Sequence, residues 1–160
     1  LEIVKSQVDD NSALLAGGVF APGVTIRAGS ISGNHGTSAV GGLFVQGGVS
    51  TVSGSTAVVA DSIVEKNVST ANSAGGVFNA GQMVARRTKI TDNQAVLGGG
   101  IFNTGIGTLT LDATKVVRNI AVTDGGGIFN DGTVEWNTAT GTIVVKNRPN
   151  NCVNVPGCSG

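Results

Sequence analysis

Apolar and polar positions alternate in this chain only in short bursts, and no sustained helical rhythm can be drawn through them. Stretches such as Val24-Thr25-Ile26-Arg27, Thr108-Leu109-Thr110-Leu111 and Thr133-Val134-Glu135-Trp136 read as short strands with one face buried. Gly interrupts almost every short window, so little or no helix is expected. The bursts recur in phase with two landmarks. One is Gly-Gly-aliphatic-Phe, which holds every phenylalanine of the chain: Phe20, Phe44, Phe78, Phe102 and Phe129, at intervals of 24, 34, 24 and 27 residues. The other is an aliphatic residue followed by two variable ones and an Asn, ending at Asn11, Asn34, Asn67, Asn93, Asn119 and Asn147. From Asn to Phe the gaps are 9, 10, 11, 9 and 10 residues. Two landmarks in nearly constant phase define a repeat rather than an abundance of glycine.

Each repeat thus offers three strands: the alternating one, the aliphatic-x-x-Asn one and the Gly-Gly-aliphatic-Phe one. An all-β, right-handed parallel β-helix of about five to six three-strand coils is predicted. Equivalent side chains of successive coils then sit above one another at about 4.8 Å. Phe stacks on Phe inside or along the solenoid, and the Asn amides can bond from coil to coil at turns where Asn can adopt the left-handed conformation. The paired glycines either take positive φ or let backbone pass close to backbone. The longest Phe interval holds Ser53-Gly54-Ser55-Thr56-Ala57, read as a surface loop. The repeat domain is assigned to residues 1–149 and a capping tail to 150–160.

Composition changes the picture chiefly by exclusion. Gly is 26 of 160 residues with only 3 Pro, and charged residues make up 12% against 40% hydrophobic, so neither collagen nor a disordered tract fits. Ten Lys plus Arg balance ten Asp plus Glu, which leaves no net field for nucleic acid, and no run is long enough to insert in a membrane. The opening Leu1-Glu2-Ile3-Val4-Lys5 lacks the basic-then-apolar order of a signal peptide, so the chain is read as a processed or truncated product.

Gly-Gly-Gly-Ile-Phe-Asn, present at Gly98 to Asn103 and at Gly125 to Asn130, resembles the repeat of bacterial secreted β-helix proteins. It is similar to the Gly-Gly-Ala-Ile and Phe-x-x-Asn repeats of the chlamydial polymorphic outer-membrane proteins, although Asn follows Phe directly here. The ending Asn150-Asn151-Cys152 with Pro156-Gly157-Cys158 resembles tails of actinobacterial secreted β-helix proteins. The resemblance implies a secreted or cell-surface protein and an adhesin-like role.

Candidate chemistry is sparse. Cys152 and Cys158, the only cysteines, are read as a short disulfide that seals the tail in an exported protein. No cofactor is expected, and the single His35 is read as a turn residue. The acids Asp61, Glu65, Asp92, Asp112, Asp124, Asp131 and Glu135 are scattered, with Asp92 and Arg118 placed to face each other across coils as an exposed pair. Arg86, Arg87 and Lys89 form the only basic cluster, a solvated face or a contact for an anionic glycan. Trp136 is in phase with Val134 and expected inward near the terminal coil. Asn67-Val68-Ser69 matches a glycosylation acceptor, but Asn67 is a ladder residue.

The expected function is a non-catalytic structural or adhesive solenoid, assembling end to end or with a partner such as a host or matrix glycan or a surface protein. A further domain, copy or partner is expected at the amino end, since Leu1 to Leu15 carries no cap. A glycan-binding or polysaccharide-degrading protein is the alternative, and requires convergent carboxylates. An ice-binding module is the third reading, resting on outward Thr25, Thr108, Thr110 and Thr133, a row that Arg27 and Glu135 interrupt.

Overall fold

The computed structural model describes residues 1–46, 56–70 and 73–160. Ser53, Gly54 and Ser55 of the expected loop lie outside them, whereas Thr56 and Ala57 already belong to a strand, with Ala57 fully buried. Apart from one 3-10 turn at Thr138–Thr140, the described regular structure is all strand. Short strands bury their alternate side chains only if neighbours cover them. The repeat meets this need by coiling, so that equivalent strands pair in parallel.

The first sheet is built from Glu2–Val4, Thr25–Arg27, Thr56–Ala60, Gln82–Arg86, Thr108–Asp112 and Thr133–Asn137 in that order. The second begins at Gln7–Asp9 and ends at Ile143–Val145, and carries the aliphatic residue that precedes each ladder Asn. The last sheet carries the Phe strands, from Val19–Ala21 to Ile128–Asn130, with Cys152–Val153 added at its end. Registers hold without slippage in these three sheets: Ile26 lies on Val59, Ile90 on Val116 and Phe78 on Phe102.

A further sheet corrects the three-strand expectation. It runs through Ser12–Ala13, His35–Gly36, Val68–Ser69, Gln94–Leu97 and Ile120–Asp124, between the ladder Asn and the Gly-Gly-aliphatic-Phe strand. His35 is therefore a strand residue paired with Ser12 and Val68, not a turn residue. Backbone hydrogen bonds from each post-Asn residue to the preceding coil set this strand, as in His35 N–H to Asn11 O at 2.8 Å and Gln94 N–H to Asn67 O at 2.9 Å.

The interior is a column of aliphatic side chains, with Ile26, Ile31, Leu43, Met83, Ile90, Ile101, Leu109 and Ile128 almost wholly inaccessible. Each such burial contributes about 1.5–3 kcal/mol relative to exposure. The glycine pairs serve close approach and not positive φ: a Cβ on Gly75 would sit 2.5 Å from Gln94 N, and one on Gly76 2.5 Å from Gly100 O. The left-handed residue at the Asn corner is also not the Asn. It is the residue before it, Asp10, Gly33, Lys66, Asp92, Arg118 or Lys146, because the chain must turn there to bring the Asn amide inward. A second left-handed row, Lys5, Ala28, Asp61, Arg87 and Ala113, turns the chain from the first sheet to the second.

Candidate functional site

The Asn landmarks form one continuous ladder. Asn93 Oδ1 accepts from Asn67 N–H at 3.0 Å and from Asn67 Nδ2 at 2.9 Å. Its own Nδ2 donates to Asn119 Oδ1 and to Val64 O, both at 3.0 Å. Two donated and two accepted bonds satisfy a primary amide completely, which is what permits it to be fully buried. The same pattern links Asn11, Asn34, Asn67, Asn119 and Asn147, and Asn147 hands it on to Asn151 Oδ1. A second ladder follows the Phe strands, with Asn79 Nδ2 to Asn103 Oδ1 and Asn103 Nδ2 to Asn130 Oδ1 at 2.7 Å each.

Sequence reasoning missed a third polar row. Ser62, Thr88, Thr114 and Thr142 are buried just after the first corner and hydrogen-bond to strand carbonyls, as in Thr88 Oγ1 to Val59 O and Arg86 O at 2.9 Å. The signal was available: a hydroxyl stands two residues before the aliphatic landmark in Ser62-Ile63-Val64, Thr88-Lys89-Ile90, Thr114-Lys115-Val116 and Thr142-Ile143-Val144. Among the described residues, Thr104 Oγ1 is the one buried side-chain polar atom with no partner.

The Phe rings stand outside the solenoid. In each Phe strand the flanking residues are buried and the ring points out, half-buried in four cases and 48% exposed in Phe20. Ring centroids lie 4.8, 4.8, 5.4 and 5.1 Å apart along the row, within the range of favourable offset stacking. Stacking covers the ring faces and leaves edges toward solvent, so the row is an apolar stripe more than a set of open platforms for sugars.

Trp136 faces inward in register with Leu111 and packs against the core, and its Nε1 donates to Pro156 O at 2.8 Å. Cys152 and Cys158 form a disulfide and both pack on the same core. The tail thereby lies over the last coil. Asn67 of the glycosylation match is wholly buried in its ladder. Of the outward threonines, Thr25 and Thr110 share a row with Val58 and Val84 between them, while Thr108 and Thr133 continue a row with Gln82. They form no unbroken threonine face among the described residues.

The charged residues divide by position. Asp92 and Arg118 do face each other, with Arg118 Nε 2.9 Å from Oδ1 and Nη2 2.7 Å from Oδ2. Arg87 of the basic cluster is held in the same way by Asp61, at 2.6 and 2.8 Å. Both pairs sit at left-handed corners, where consecutive side chains project outward side by side. Hydrogen bonding to the arginine holds each carboxyl below its ordinary value: Arg87 acts on Asp61, and Arg118, helped by Thr91, acts on Asp92. The rest of the basic cluster is split up. Arg86 projects from the first sheet across from Asp112, whereas Lys89 projects from the second sheet across from Lys115.

Two open depressions mark the surface. One of about 480 Å³ is lined by Arg86, Thr110, Leu111, Asp112, Glu135, Trp136, Asn137 and Thr140. The other, of about 600 Å³, is lined by Asp92, Arg118, Ile120, Lys146, Asn147 and Arg148. Among the described residues, no group of three or more His, Cys, Asp or Glu side chains is placed to hold a metal ion. Comparison with protein-family models, with curated proteins and with solved structures gives no match. What the geometry can do chemically is join coil to coil and present charge in rows. No helix of the described residues is long and apolar enough to cross a membrane.

Proposed function

We propose that this chain is a non-catalytic, secreted or cell-surface β-solenoid with a structural or adhesive role. The observation that carries the reading is that its distinctive polar side chains serve cohesion between coils. The buried Asn ladder, the buried hydroxyl row and both bidentate Arg–Asp pairs all link one coil to the next. A disulfide supports an oxidising compartment, and the resemblance to secreted β-helix repeats supports the adhesin-like role.

The amino-terminal coil is read as the docking end. Its interior residues Ile3 and Val8 are half-buried, and Leu1, Leu14, Leu15 and Phe20 are exposed. Another copy of the chain or a partner docks on this end, and light scattering that finds only monomer contradicts docking of another copy.

Nearest-neighbour cohesion makes a rod resistant to heat and protease beyond its size. Limited trypsin digestion tests this. Survival of the folded chain for hours supports it, and prompt cleavage after Arg86 or Arg118 defeats it. Release of reducing ends from a panel of neutral and acidic polysaccharides defeats the non-catalytic reading.

A further inference from the structure

A balanced total charge conceals a polarised face. Along the second sheet and the corner that follows it, the first three coils carry Asp9, Asp10 and Glu65 against Lys66. The next three coils and the segment after them carry Lys89, Lys115, Arg118, Lys146 and Arg148 against Asp92 alone. Lys89, the pair Lys115 and Arg118, and the pair Lys146 and Arg148 come from three separate stretches of sequence, which coil stacking brings together.

Two features set this strip apart from a solvated surface. Lys89 lies directly across from Lys115 in parallel register, an arrangement of like charges that is unfavourable when nothing lies between them. The only ion pairs among the described residues are Asp61–Arg87 and Asp92–Arg118, so Lys89, Lys115, Lys146 and Arg148 are all without an acidic partner there. Arg118, Lys146 and Arg148 also line the larger depression, so part of the strip is concave. The central strands of this sheet pair on both sides, so their backbone is already engaged and recognition falls to side chains.

We propose that this strip binds an extended anionic polysaccharide. The inference rests on the adhesive reading and names the ligand for it. Coils advance at about 4.8 Å, similar to the length of one sugar residue in an extended chain, so neighbouring carboxylates or sulfates of such a polymer meet Lys89 and Lys115 one coil apart, and Arg118 and Lys146 likewise at the corner. Single-stranded nucleic acid is bound through aromatic stacking platforms as well as charge, and this strip contains no aromatic side chain. The Phe row belongs to a different sheet.

The test uses the full chain on immobilised heparin, with oligogalacturonate as a soluble competitor to separate sulfate from carboxylate recognition. Retention is expected at about 50 mM salt and loss by about 500 mM, since screening shortens the reach of these charges. A variant with Lys115→Gln, Lys146→Asn and Arg148→Gln should bind at least roughly ten-fold more weakly, Asn being chosen because it tolerates the left-handed corner. A control with Lys5→Asn and Arg27→Gln should bind as the parent does. Circular dichroism and trypsin resistance establish that both variants fold. No retention at low salt, undiminished retention of the triple variant, or tighter capture by phosphatidylserine vesicles or duplex DNA than by either glycan overturns the proposal. If the chain stays protease-resistant in those cases, the structural reading survives while the ligand assignment falls.

Discussion

At the last coil the chain completes its own ladders, whereas at the first coil the same ladders stop in solvent. Asn147 donates to Asn151, Asn130 Nδ2 reaches Asn154 O at 2.9 Å, Val153 pairs with Phe129, and the tail is tied down through Trp136 and the disulfide. At the opposite end no hydrogen bond from the described residues reaches Asn11 Oδ1, although the equivalent oxygen of Asn34 accepts two. Phe20 is covered on one side by Phe44 and is the most exposed ring of its row. The difference teaches that the repeat hands order from coil to coil through shared ladders. At the last coil the residues that receive the ladders, Asn151, Val153 and Asn154, lie outside the repeat pattern.

The largest expected effect separates an interior rung from a terminal one. Asn93→Ala leaves the buried Asn67 N–H and Nδ2 without their acceptor, and a loss of about 3 kcal/mol or more in urea unfolding is expected. Asn11→Ala removes a solvated rung and should cost under about 1 kcal/mol. Equal losses would break the contrast between enclosed and open rungs.

Opening the carboxyl end should make it resemble the amino end. Cys158→Ser removes a short closed loop and should lower stability by about 2 kcal/mol. It should also shift the emission of Trp136, the only tryptophan, toward that of a hydrated indole. An unchanged spectrum would show that the tail holds its place without the disulfide.

The smallest effect is set by the corner pairs. Asp61 and Asp92 both have folded-state values below the ordinary one, so their stabilisation is fully present above the unfolded Asp value of about 3.9. It fades as pH falls through the lower folded values. Arg87→Gln together with Arg118→Gln should therefore narrow the stability difference between neutral and acid pH only slightly, because the pairs are largely exposed. A large change would mean that the corners and not the buried ladders hold the coils together.

Much of this was legible because coil stacking converts a sequence period directly into a spatial row. The aliphatic-x-x-Asn spacing marked the buried ladder, and Cys152 with Cys158 marked the tail. The outward direction of Phe was less legible, since Gly-Gly ahead of it breaks the alternation. In hindsight the aliphatic residue before Phe and the Asn after it in three of the repeats share the opposite face, as period two requires. The additional sheet left little trace because Ser12–Ala13, His35–Gly36 and Val68–Ser69 are only two residues long and held by backbone pairing. The left-handed corner was misplaced onto Asn because Asp, Gly, Lys and Arg all occupy the true position, so residue type carried no signal. The cationic strip was hidden for a related reason: its three parts, Lys89, Lys115 with Arg118, and Lys146 with Arg148, meet only across coils, while the contiguous Arg86-Arg87 and Lys89 are dispersed over two sheets and a corner.

Hydrogen exchange resolved by residue tests most directly the claim that stability is shared between neighbouring coils and reinforced where the tail covers the last Phe strand. Amides of Glu2–Val4 and Gln7–Asp9 should exchange fastest, those of Lys89–Thr91 and Lys115–Val117 slowest, and those of Ile128–Asn130, which the tail strand Cys152–Val153 covers, nearly as slowly as the middle. After reduction of the disulfide, Ile128–Asn130 should move toward the rates of the first coil. Uniform exchange along the rod, or a first coil as protected as the last, would contradict the account.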